Sequence, residues 1–193
     1  MKRSTASPKE ITHDRIVETA ARAIRRSGYH GTSVADIMKE AGLTHGGFYA
    51  HFASREAMLA EAADRAGAEA VEASLRIAAE APPEQAFQWL AAAYLSDEHL
   101  QNPEQGCPIA ALGSEMPRQA PEVRRAATRR IKEMIDVFAR QSPDWGQPGA
   151  HDRALVAVAT MVGALLLARA VDEPKLSEAL RGAALKHVAP AGD

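Results

Sequence analysis

SVADIMKEAGLTHGGFYAHF, residues 33–52, is the stretch whose reading decides the fold. Ser33 is a good helix N-cap. Asp36, three residues on, suits a capping box or the positive end of a helix dipole. Val34, Ile37, Met38 and Ala41 then make one apolar stripe, and Gly42 stops the helix. Thr44 caps a second short helix that runs to about Phe52. Two short helices around so compact a turn let the second project into a DNA major groove. Ala35 and Ala41 leave space for close packing. Leu43, Phe48 and Phe52 are expected in the core between the helices.

Outward from this stretch the chain reads as helix throughout. A helix over 9–27 places Ile11, Ile16, Ala20, Ala23 and Ile24 roughly on one face, and Gly28 follows as a stop. Ser54 caps a long helix to about residue 81, ended by Pro82-Pro83. Further helices are expected over 84–100, 109–116, 121–141, 151–171 and 174–188, with Pro- and Gly-rich loops at 102–108 and 142–150. No strand is expected. The fold class is therefore all-α, with about nine helices. An N-terminal three-helix helix-turn-helix DNA-binding domain is expected over 1–55, with a basic arm at 1–8. A second, larger all-helical domain is expected over 56–193.

Bulk properties agree. The chain has 193 residues, 46% of them hydrophobic, enough for a sizeable core. With one cysteine, Cys107, no disulfide can form within the chain, and a cytoplasmic location fits. No charged-then-apolar leader opens the sequence. The apolar run from Ala154 to Ala168 ends at Arg169 and reads as a buried helix, so no membrane partner is expected. The net charge of −2 hides an asymmetry: residues 1–55 hold nine basic and five acidic residues, the rest fourteen and twenty. A basic end on an acidic body points one face toward a polyanion. An enzyme is disfavoured: no zinc-ligand spacing, phosphate loop or nucleophile motif is present. No metal and no cofactor are expected.

The run GYHGTSVADIMKEAGLTHGGFYAHFASREAML, residues 28–59, closely resembles the DNA-binding signature of the TetR family of repressors. The matching pieces are Gly31-Thr32-Ser33, Ile37, Ala41-Gly42-Leu43, Gly46, Phe48-Tyr49, His51-Phe52 and Ser54-Arg55-Glu56. His45 departs from the lysine often found there, and Gly47 is at a variable position. The resemblance implies a homodimer that binds a palindromic double-stranded operator and is released by a small-molecule effector. It implies that Thr32 and Ser33 offer hydroxyl and backbone N–H groups to phosphate. Thr44, His45, Gly46 and Gly47 would face base edges or the adjoining backbone. Tyr49, His51 and Arg55 would hydrogen-bond phosphates, and Lys2 and Arg3 would reach a neighbouring groove.

The resemblance implies that 56–193 is the helical ligand-binding and dimerisation domain, though the residues themselves are less specific there. Trp89, Tyr94, Met116, Met134, Phe138, Met161 and Leu165 sit among alanines and suit an effector cavity, with ordinary core packing as the alternative. Cys107 precedes a helix, where a thiol is either a reactive sensor or an inert packing group. The last two helices are expected at the dimer interface. Leu155, Val158, Val162 and Leu166 lie on a helix apolar over more than one face.

Overall fold

The computed structural model describes residues 7–190. Helix α1, Pro8–Ser27, begins with a complete capping box: the Ser7 hydroxyl accepts the Glu10 N–H, and the Glu10 carboxylate accepts the Ser7 N–H. It ends at Gly28, whose φ of 77° suits the absence of a side chain. Helix α2, Val34–Glu40, is capped by the Ser33 hydroxyl, which accepts the Asp36 N–H. Gly42 (φ 71°) makes the turn. After it, His45–Ala50 form a 3-10 helix rather than the expected α-helix. Two successive glycines lower helix propensity there, and the Thr44 hydroxyl makes no cap hydrogen bond.

Helix α3, Arg55–Glu80, is 26 residues long and capped by Ser54. It spans about 39 Å. Helices α4, Ala86–Tyr94, and α5, Asp97–Gln101, replace the single helix expected over 84–100. Ser96 breaks it by capping α5, accepting the His99 N–H. Helix α6, Pro108–Leu112, is shorter than expected and gives way to a 3-10 turn at Met116–Arg118 around Pro117. Helices α7, Pro121–Gln141, α8, Ala150–Ala170, and α9, Pro174–Val188, lie where the sequence places them, within one residue. No strand occurs among the described residues.

Two apolar cores are stacked along α3. The first gathers Ile16, Ile24, Ile37, Phe48, Phe52 and Met58, and is completed by Leu112 and Val123 from α6 and α7. The second gathers Leu90, Tyr94, Met134, Phe138, Met161 and Leu165. Burial of each such side chain contributes about 1.5–3 kcal/mol. Helices α3 and α7 pack closely at Gly67, where a Cβ would come within 2.4 Å of the Arg130 Cβ. By length and composition α8 is apolar enough to cross a membrane. It packs on α6, α7 and α9 and buries Met161 and Leu165 in the second core.

Candidate nucleic-acid interface and ligand cavities

The turn and 3-10 helix after α2 present a compact polar surface. Thr44, His45 and Gly46 are exposed, Gly47 is half-buried, and Tyr49 is 73% exposed, its ring edge-on to buried Phe48. At Gly46 an added Cβ would meet no atom within 4 Å, so the backbone is open to close approach from outside. Ser33 is exposed but occupied as a cap, and its hydroxyl also donates to the Asp36 carboxylate. His51 is half-buried beside His13 and Phe52. Partial burial, then nearby His13 and Lys9, lower its pKa and favour the neutral ring. Arg3, like Lys2, lies outside the described residues.

Two residues expected at phosphates are tied to the scaffold. The Thr32 side chain is buried, and its hydroxyl donates to the carbonyls of Gly28 at 2.9 Å and Ala23 at 3.3 Å. Arg55 is half-buried, and its guanidinium donates to the carbonyls of Tyr29 and, at 3.1 Å, Thr32. The segment between α1 and α2 belongs to no helix, so its carbonyls need donors from elsewhere. Thr32 and Arg55 supply them.

The same segment is tied to the body of the protein. The Glu115 carboxylate accepts the Tyr29 N–H at 2.9 Å and, at a longer 3.4 Å, the His30 N–H. Gly28 permits this, since a Cβ there would fall 2.2 Å from a Glu115 oxygen. Arg25, 4% exposed, pairs with Glu69 at 2.6 Å and makes a long contact to the Gly106 carbonyl. Arg26 bridges Glu40 and Glu104. The end of α1 is thus fastened to α3, to the 104–106 turn and to the segment after α6. Residues 25, 69 and 115 are too far apart in sequence for any local pattern to have singled them out.

Two cavities flank Cys107. The first, about 280 Å³, lies between α3, α6 and α7 and is lined by Tyr29, Gly67, Met116, Pro117 and Ile131. The second, about 360 Å³, is lined by Ile77, Tyr94, His99 and Phe138. Ala70, Cys107 and Met134 line both. Cys107 is 4% exposed, with its sulfur 3.8 Å from that of Met134. Of the expected effector residues, Tyr94, Cys107, Met116, Met134 and Phe138 line these spaces. Trp89 does not: it is 45% exposed, and its indole N–H reaches Gln85. Met161 and Leu165 are close-packed in the second core and line neither cavity.

The outer face of α8 is apolar. Leu155 is exposed there, and Val162 and Leu166 are half-buried. Val158 is turned into the second core, so it is no surface residue of this chain. Val156 and Leu167 are exposed on α8, as is Leu176 on α9. Added Cβ atoms at Gly163 and Gly182 would meet nothing within 4 Å.

Comparison with known proteins follows the same division. The family model for bacterial regulatory proteins of the tetR family matches residues 16–62. That for the LmrA/YxaF-like transcriptional regulator C-terminal domain matches residues 83–183. An uncharacterised HTH-type transcriptional regulator of Mycobacterium tuberculosis is 35% identical over 170 residues, covering 81% of this chain and 83% of that protein. A TetR transcriptional regulator from Chloroflexus aurantiacus superposes with a TM-score of 0.74 at 27% identity, over 93% of this chain and 95% of that one. The reduced form of Escherichia coli NemR superposes with a TM-score of 0.79 over the same shares, at 19% identity.

Arg55→Ala should lower stability by about 1–3 kcal/mol, because two partly buried carbonyls lose their donor. Chemical denaturation of the full chain measures this. A variant as stable as the parent, altered only in DNA affinity, would return Arg55 to the phosphate-contacting set.

Proposed function

This chain belongs to the TetR family of bacterial transcriptional regulators, and on that premise we propose that it is a ligand-responsive repressor binding a palindromic operator as a homodimer. It is a DNA-binding helix-turn-helix regulator by membership, and that family is not one of enzymes. The observation that carries the finer reading is the pairing of an exposed, glycine-opened recognition turn with an apolar cavity system whose wall is bonded to that unit's base. Residues 1–55 are the proposed DNA-binding domain, and 56–193 the effector and dimerisation domain. The proposed location is cytoplasmic, where its DNA would be.

On the DNA, the proposed base-reading group is Thr44, His45, Gly46 and Gly47, with backbone contacts from Tyr49, His51 and the exposed end of α2 at Ser33. Arg3 is a proposed arm contact. Gly46 and Gly47 let the main chain approach the groove floor. The effector occupies one or both cavities beside Cys107. Its entry displaces the segment of Met116 and Pro117, and with it Glu115, which holds the amides of Tyr29 and His30. The head then swings relative to its twin, and the separation of the two recognition turns no longer matches the operator. Because the coupling is reciprocal, DNA weakens effector binding by the same factor.

Tyr49→Ala tests the DNA-binding face. With a duplex selected from random DNA by the full chain, it should weaken binding about fivefold, one hydrogen bond's worth, and leave the melting transition unchanged. Unchanged affinity would remove Tyr49 from the interface. Leu167→Glu tests the proposed dimer face: a carboxylate on a buried apolar contact should give folded monomers by sedimentation. A dimer as tight as the parent's would place the interface elsewhere.

A further inference from the structure

The first cavity has a direction. One stripe of α7 lines it from end to end: Arg124, then Ala127 and Thr128, then Ile131, then Met134, the repeat of a single helix face. That stripe is about 15 Å long. Gly67 and Ala70 line the cavity from α3 and carry too little bulk to fill it. Met134, at one end of the stripe, is 3% exposed and belongs to the second core. Arg124, at the other end, is exposed. Arg124 also lines the open groove on the outer face of α7, together with Arg125, Arg129 and Lys132, so it stands at the mouth.

The cavity wall carries charge of one sign. The guanidinium of Arg124 has no hydrogen-bond or ion-pair partner among the described residues, although its carbonyl accepts the Thr128 hydroxyl at 2.8 Å. Arg130, the other cation of the wall, is taken. Its Nε and Nη2 donate to Asp64 at 2.8 and 2.6 Å, and its Nη1 donates to Glu133 at 2.7 Å. Neither carboxylate lines the cavity, and among the described residues no other carboxylate does. Glu115, next to the wall residue Met116, is held by the amides of Tyr29 and His30. Asp136 shares the outer groove but lies about 18 Å farther along α7. A lipophilic cation entering here would meet Arg124 with no counter-charge, whereas a lipophilic anion would pair with it. The second cavity shows no such bias, since Glu98, Asn102 and Gln105 line it.

We propose that the first cavity binds an amphiphilic anion — an apolar body with a carboxylate at one end — lying along α7 with its head at Arg124 and its body toward Ile131 and Met134. This rests on the reading of residues 56–193 as the effector domain, and it names the charge and polarity of the effector. Apolar burial supplies most of the affinity. Arg124 is exposed, and an ion pair in such a position adds a factor of about five at most. Arg124 therefore selects the sign of the ligand, and the small side chain of Ala127 gives its body room.

The test is calorimetric titration of the full chain, without DNA, with compounds that share a hydrocarbon body and differ only in the head. One set is 4-phenylbutyrate, 4-phenylbutanol and 4-phenylbutylamine; the other is decanoate, decanol and decylamine. In at least one set the acid should bind most tightly, about tenfold above the amine, since attraction is exchanged for repulsion at the same site. Arg124→Glu, a change at an exposed position, should reverse the order of acid and amine. Ala127 lines the first cavity and not the second, so Ala127→Leu should weaken every member of that set. An amine or alcohol that binds as tightly as its acid in both sets overturns the proposal. So does an acid preference that survives Arg124→Glu, acid binding indifferent to Ala127→Leu, or no binding by any acid. Arg124→Glu decides the matter if the Ala127 variant fails to fold. An acid that binds as expected but leaves DNA affinity unchanged would instead overturn the repressor-release reading and leave this site standing.

Discussion

The bond on which this architecture turns is that from the Glu115 carboxylate to the amides at the end of α1. The DNA-binding head does not close its own core: Leu112 and Val123 of the body complete the cluster around Ile24 and Phe48. Its position is therefore set by what it packs on. Arg25, buried against Glu69, gives the same junction a second fastening. Breaking that pair on one side would leave an uncompensated buried charge, so the junction is held as a unit. Around it, the Thr32 hydroxyl and Arg55 Nη2 donate to carbonyls at the end of α1 and in the segment that follows. The head is thus braced within itself and fastened to the body, the combination that the proposed ligand response requires.

The first cavity lies beside that junction. Tyr29 contributes its ring to the wall of the first, so a residue of the head is part of the body's pocket. Met116 and Pro117 form another part of the wall, one and two residues beyond Glu115. A ligand occupying the second cavity meets the opposite side of Cys107 and Met134, the residues that separate the two spaces.

Much of this was legible in the sequence because it is local. Caps at Ser33 and Ser54, the glycine turn at Gly42 and the full extent of α7 follow from neighbouring residues. What the sequence left out is azimuth and long-range pairing. Helix α8 is apolar all round, so periodicity did not reveal that Val158 faces inward while Val156 and Leu167 face out. Thr32 reads as a helix-start hydroxyl, yet it turns inward, toward the carbonyls of Gly28 and Ala23. Trp89 looks like a pocket aromatic but lies on the outer side of α4. Glu115 meets Tyr29 across 86 residues, and Arg169 meets the His99 carbonyl across 70; no spacing rule anticipates either.

The most direct test removes the Glu115 carboxylate and watches both ends of the junction. In a Glu115→Ala chain, amide hydrogen exchange at Tyr29 and His30 is measured alongside affinity for the duplex selected by the parent chain. The account predicts faster exchange at those two amides and a roughly tenfold or greater fall in DNA affinity, because an unfastened head must be ordered on binding. Faster exchange with undiminished DNA affinity would contradict it, since the junction would then be a structural contact without a hold on the recognition turn.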